Sequence, residues 1–275
     1  MPSPAEQNRG RSARGIRVVA IGGGTGLSTL LKGLKQYTVR AGDAPPDGVF
    51  ISDLTALVTV SDDGGSSGRL RRELGILPPG DVRNCLVAVS EDENLISKLF
   101  QYRFSSSGDL EGHNFGNLFL AALTAMTGDF AVAVKQASEI LATRGHILPA
   151  TSANVQLEAI MDDGSHVLGE TNINASQRRI VELQMAPANP EPLPQALAAI
   201  AAADVITMGP GSLFTSLVTN LLVRGIPEAI ANSPAVKVFI CNLMTEANEN
   251  FHGRPLTTSR PFTLTHRAGS SIMRW

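Results

Sequence analysis

Two apolar patterns alternate along this chain. The first is the short unbroken run: Arg17 to Ile21, Thr55 to Val60, Val205 to Met208 and Val236 to Leu243. Such runs, apolar without alternation, predict strands buried on both faces. The second is helical recurrence, as in Leu27, Leu30, Leu31 and Leu34. Leu118 to Met126, Pro194 to Ala203 and Leu213 to Val223 also predict helices, with Gly128 and Gly225 as C-terminal stops. Asp81 predicts an N-cap for a helix to about Ser90, and Asp129 one for a helix to about Leu141. Strands and helices in alternation imply an α/β fold with a mainly parallel sheet covered on both faces. One stretch departs from this. Val155, Leu157 and Ala159 alternate with polar residues, Asp162-Asp163-Gly164-Ser165 makes a turn, and Val167 starts a return strand. That predicts an antiparallel hairpin, an excursion from the parallel theme.

The pattern also sets boundaries. Residues 1–15 are polar, carry Arg9, Arg11 and Arg14, and predict a disordered arm. Residues 16–246 hold the periodic elements and are expected to form one domain. Residues 247–275 mix Ser, Thr, Arg and Pro without periodicity. They predict an atypical tail, truncated or frame-shifted, that packs poorly.

Composition narrows the class. Of 275 residues 43% are apolar, 26 are glycine and 17% are charged, which describes a globular protein. A formal net charge of −2 argues against a nucleic-acid binder. No apolar run is long enough to span a membrane, and no signal peptide is evident, so the expected location is the cytoplasm. Cys85 and Cys241 predict two reduced thiols in the core, and the five histidines lack metal-site spacing.

Candidate chemistry gathers where strands end. Gly22, Gly23, Gly24, Thr25 and Gly26 lie between a strand and a helix. Glycines there let backbone N–H groups approach a phosphate, and the helix N-terminus adds a favourable dipole. Leu27 stands where the dinucleotide fingerprint needs a third glycine, and no Gly-Lys-Ser/Thr follows, so neither common motif is present. A plain hydride-transferring oxidoreductase is therefore the weakest reading. The alternative for the glycines is a tight turn.

Asp62, Asp63, Gly64 and Gly65 end the second strand. An acid there can bind ribose hydroxyls, and two adjacent carboxylates could hold Mg2+; a solvated turn is the bland alternative. Arg69, Arg71 and Arg72 follow as a solvated helix face, one of which could turn to a ligand. His113, Asn114 and Asn117 precede an apolar helix and offer donors and acceptors for a hydroxyl, a base edge or a phosphate. Gly209, Gly211 and Ser212 repeat the strand, glycine turn, helix arrangement, with Ser212 as N-cap. All four loops are expected on one edge of the sheet. No Gly-x-Ser-x-Gly elbow supports acyl transfer.

In order, Ile21-Gly-Gly-Gly-Thr-Gly-Leu27, Val60-Ser-Asp-Asp-Gly-Gly-Ser-Ser-Gly-Arg-Leu70, Gly75-Ile-Leu-Pro-Pro-Gly-Asp-Val-Arg83, Gly112-His-Asn-Phe-Gly-Asn117 and Met208-Gly-Pro-Gly-Ser-Leu213 resemble the YvcK-type gluconeogenesis factor family. That family shares a superfamily with the CofD-type phospholactate transferases. The resemblance covers about residues 16–246. It implies a Rossmann-like three-layer fold, a cytoplasmic location, binding of a nucleotide or UDP-sugar, and a role in cell shape and wall synthesis during gluconeogenic growth. A regulated protein partner is implied, and a homo-oligomer is compatible with it. The alternative from the transferase branch is Mg2+-assisted transfer of a phospholactyl group from a nucleotide diphosphate. On either reading Gly22 to Gly26 and Gly209 to Ser212 would hold phosphates. Asp62 and Asp63 would face ribose or metal, and would be the catalytic residues of an enzyme. Asn114 and Asn117 would line the cleft. After Cys241-Asn-Leu-Met-Thr-Glu246 the family continues with a Gly-Tyr-Thr stretch that this sequence lacks.

Overall fold

A computed structural model describes residues 13–39, 42–44, 46–91, 95–105, 107–176, 178–243, 263–267 and 270–274, the last two stretches through strand pairing alone. The arm up to residue 12 and the tail segment 244–262 lie outside the described residues. Five strands form a parallel sheet: β1 (Arg14–Gly22), β2 (Val49–Val58), β3 (His146–Pro149), β7 (Val205–Met208) and β8 (Val236–Phe239). Their order is β3-β2-β1-β7-β8. Two of the unbroken apolar runs become its middle, with Val18 to Gly22 and Leu54 to Val58 buried in succession. β1 begins earlier than its apolar run because Arg14 and Gly15 pair with Val49 and Phe50 of β2.

One face of the sheet is covered by helices. These are α1 (Gly24–Lys35), α3 (Gly80–Val89), α4 (Leu95–Gln101), α5 (Phe115–Thr127) and α6 (Phe130–Ile140). Leu27, Leu31, Leu86, Leu120 and Val134 meet Val18, Ala20 and Ala56 there. α2 (Gly65–Leu74) packs at the end of this layer, against α5. Asp129 caps α6 as its sequence predicts, its carboxylate accepting from Val132 N–H at 2.8 Å. The other face is mixed. α8 (Pro194–Ala202), the short α9 (Thr219–Leu221) and α10 (Ile226–Asn232) share it with an antiparallel sheet.

That second sheet holds β4 (Gln156–Met161), β5 (His166–Leu168) and β6 (Ile180–Ala186), with the small helix α7 (Glu170–Ala175) between the last two. β4 alternates half-buried and buried positions, the signature of a strand with one covered face. Leu157, Ala159 and Met161 pack with Val19, Ile21 and Leu57 of the parallel sheet. Ile21 and Leu57 are at most 1% exposed. Side chains of this size contribute roughly 1.5–3 kcal/mol each on leaving water.

Three sequence expectations change. Leu213–Val218 winds as a π-helix rather than an α-helix, Leu217 N–H reaching Ser212 C=O at 3.1 Å. Cys241 is exposed rather than in the core, while Cys85 is buried. Every residue of β8 is exposed, so among the described residues none covers the parallel sheet at that edge. In the tail, β9 (Thr263–Arg267) and β10 (Ser270–Arg274) pair as a hairpin, and β10 joins the free edge of β6. No alternation in the sequence predicts that hairpin; edge hydrogen bonding can recruit a strand without it.

Candidate functional site

The chain leaves β1 towards β2 and β3 on one side, and later leaves β7 towards β8 on the other. The carboxyl ends of β1 and β7 therefore flank the point where strand order reverses, the place where open α/β sheets bind ligands. Both glycine turns stand there. They are in contact: a Cβ on Gly26 would lie 2.3 Å from the Pro210 carbonyl oxygen, and one on Gly23 only 2.4 Å from Thr59 Cγ2. Close backbone approach thus explains these two glycines whatever the site binds. Each turn has an N–H group already engaged. Gly24 N–H donates to Asp81, and Gly211 N–H to Asn242 Oδ1 at 3.1 Å. Ser212 caps the π-helix, accepting from Thr215 N–H.

Beneath the first turn lies a group of half-buried carboxyls from three elements. Asp62 follows β2, Asp81 sits in the first turn of α3, and Glu170 opens α7. Asp81 is no N-cap: Pro79 holds that place, and the Asp81 side chain turns inward against Gly23 and Gly24. Burial raises its pKa to about 7, with the charge of Asp62 adding to the effect. Glu170 is raised to about 8, by burial first and then by Asp81 and Asp62, while hydrogen bonds with Thr215 and Ser61 hold it in position. Asp62 is raised by burial, against hydrogen bonds from Gly64 N–H and Ser67. Titratable groups displaced by burial and by one another in a cleft mark functional sites.

Asp63 turns elsewhere. Its Oδ1 accepts from Thr171 N–H at 2.9 Å and from Thr171 Oγ1 at 2.6 Å, tying α7 to the Asp-Gly turn. Asp62 and Asp63 thus serve different neighbours and do not present a shared chelating face. Among the described residues no group of three or more His, Cys, Asp and Glu side chains is arranged to hold a metal ion. Arg71 is not part of a solvated face: it donates to Val155 C=O at 2.5 Å and lies within the field of Asp63 and Asp62.

The loop before α5 is drawn into the protein. His113, Asn114 and Asn117 are at most 4% exposed. Asn114 caps α5, accepting from Asn117 N–H at 3.2 Å. Ser66 Oγ is the hub, within 3.1 Å of His113 Nδ1, 3.3 Å of Asn114 N–H and 3.2 Å of Asn117 Nδ2. Asn117 Oδ1 accepts from Arg83 Nη1 at 3.1 Å. The polar groups expected to line a ligand are used to fasten α2, α3 and α5 together. Ser66→Ala removes a hydrogen bond from three buried partners, of which Asn117 Nδ2 keeps Ser67 Oγ at 3.5 Å, so it should lower stability by about 1–3 kcal/mol in a urea unfolding curve; an unchanged midpoint would show the hub to be redundant.

Asp81, Glu170, Ser66 and Arg83 are absent from the sequence-derived set. Asp81 carries the local pattern of a cap, and that pattern concealed it. Glu170 has no local signal beyond Gly169, whose φ of +89° allows the sharp entry into α7.

Comparison with known proteins fits this architecture. Residues 18–262 match the family described as 2-phospho-L-lactate transferase CofD. The chain is 51% identical over 232 residues to the gluconeogenesis factor of Halalkalibacterium halodurans, covering 84% of this chain and 68% of the relative. It is 50% identical over 236 residues to that of Bacillus subtilis, covering 86% and 70%. A Nostoc sp. relative is 52% identical over 239 residues, and there the match covers 87% of this chain but only 50% of the relative. The chain thus spans between half and about 70% of the length of these relatives. The crystal structure of protein BH3568 from Bacillus halodurans superposes with a TM-score of 0.76 at 51% identity, over 83% of this chain and 70% of that one.

Proposed function

Since this chain belongs to the CofD family, among relatives named gluconeogenesis factor, we propose that it is a cytoplasmic nucleotide-binding regulator. Its ligand on this reading is a UDP-sugar or similar nucleotide diphosphate. One observation carries the reading: two glycine turns abut at the switch point of a parallel sheet, Gly26 against Pro210. That is the place where open α/β sheets bind nucleotide ligands. The regulated process would be cell shape and wall synthesis under gluconeogenic growth, acting through a protein partner. Among the described residues no helix is long and apolar enough to cross a membrane, in keeping with a protein that works in solution.

The second reading is phospholactyl transfer, favoured by the family match. Glu170 and Asp81, raised to about 8 and about 7, have proton affinities suited to general acid–base work near neutral pH. Calorimetry with UDP-sugars tests the first reading, where saturable binding without turnover is the expected result. An assay with a phospholactyl donor, deazaflavin acceptor and Mg2+ tests the second. Product that disappears in Asp62→Asn would replace the regulator by the transferase.

A further inference from the structure

Acids and arginines gather on neighbouring loops, with Asp81 and Asp62 within the field of Arg83. Asp62, Asp81 and Glu170 lie under the glycine turns, and a phosphate placed there meets acids on the side where it needs donors. The loop 112–117 draws arginines instead. Arg69 donates to Glu111 C=O, Arg103 Nη1 to Gly112 C=O at 2.5 Å, and Arg83 to Asn117 Oδ1 and Asn84 Oδ1 at 3.1 and 2.6 Å. Three guanidinium groups thus converge on one loop through neutral acceptors. Among the described residues the arginine ion pairs are those of Arg17, Arg144, Arg178 and Arg224; none of the three converging arginines is in an ion pair.

Arg83 stands out. It is 9% exposed, and its Nε is buried without a partner. A charged donor in that state is costly unless something completes its bonding. Its stem has been given room: a Cβ on Gly116 would lie 2.8 Å from Arg83 Cδ and 2.6 Å from Phe100 C=O. Arg103 lies near enough to Arg83 for the two charges to repel, while Asp81 and Asp62 act on Arg83 in the opposite sense. Burial, Arg69 and Arg103 push the His113 pKa down, against Glu73. The amino end of the thirteen-residue α5 adds its dipole to the same place.

We propose that Arg69, Arg83 and Arg103, with the amino end of α5, form an oxyanion subsite that receives the phosphoryl end of the nucleotide diphosphate. The proposal rests on the nucleotide reading above and moves the charge recognition of that ligand from the glycine turns to this loop. Guanidinium groups bond oxyanions in pairs of parallel N–H contacts, which single backbone N–H groups do not offer.

The test compares uridine, UDP and inorganic pyrophosphate by calorimetry on the full chain and on two variants. Arg83→Gln should weaken UDP and pyrophosphate by about tenfold to a hundredfold and leave uridine within twofold. Arg103→Gln, at an exposed position, should weaken them by a smaller factor and guards against misfolding of the buried variant. If UDP binds the native chain and both variants keep its affinity within twofold, the subsite is overturned and the nucleotide reading stands. Equal loss of uridine and UDP in Arg83→Gln would overturn the subsite too, since it assigns the arginine to the fold. Arg83-dependent binding of pyrophosphate with no binding of uridine or UDP upholds the subsite and removes the nucleotide. Binding of none of the three overturns both.

Discussion

Asp81→Asn is expected to raise the melting temperature at pH 8 by roughly 5–10 °C and to leave it nearly unchanged at pH 4. Asp81 and Glu170 hold their protons more tightly in the folded chain, at about 7 and about 8, than an exposed carboxyl does. Between the ordinary carboxylate range and pH 8 the folded chain therefore binds more protons than the unfolded one. Stability from these groups is fully present below about pH 4 and is lost as pH rises through 7 and 8. Each unit of displacement is worth about 1.4 kcal/mol, so the two groups together weaken the fold at pH 8 by several kcal/mol. An asparagine keeps an acceptor for Gly24 N–H and removes the charge. Glu170→Gln should act in the same direction, and the two effects should fall short of additive because the carboxyls repel one another. Melting curves at pH 4, 6 and 8 decide the matter; a native curve flat across that range would refute the buried acid group.

Gly26→Ala is expected to damage the protein more locally and more severely for its size. The added methyl would sit 2.3 Å from Pro210 O and 2.7 Å from the Pro210 carbonyl carbon. Backbone cannot swing away as a long side chain can, so β1's turn and β7's turn must separate. Overpacking of this kind costs about 1–3 kcal/mol, or roughly 2–12 °C in a chain of this length. Any ligand held across the two turns should be lost at the same time. Gly33→Ala is the matched control, because nothing lies within 4 Å of the Cβ it would gain. On an exposed helix it should stabilise slightly, by about 0.5–1 kcal/mol. Equal behaviour of the two variants in thermal melts and UDP titration would show that the turns do not depend on their contact.

The amino-acid pattern by itself determined the layers of this protein. Unbroken apolar runs can satisfy their burial only between two covering layers, so β1, β2 and β7 were legible from hydrophobicity alone. The alternation at Val155, Leu157 and Ala159 likewise announced a strand with one wet face. Caps such as Asp129 were legible because a cap acts on its own next turn. Glycine clusters marked the edge where the site lies, since a missing side chain is visible in sequence whatever it makes room for.

What each glycine makes room for is a tertiary fact. Gly26 accommodates Pro210, 184 residues away, and Gly116 accommodates the stem of Arg83. The acid group depends on three segments meeting, so Glu170 had no local mark and Asp81 carried a misleading one. Asp62 and Asp63 looked like a pair because they are adjacent in sequence. Consecutive residues of an extended turn project to different sides, and their carboxylates found separate partners. Exposure at β8 and the hairpin of β9 and β10 were hidden for the same reason. Local preference sets which elements form, but burial, charge and hydrogen bonding at a site are sums over groups that only the completed fold brings within reach of one another.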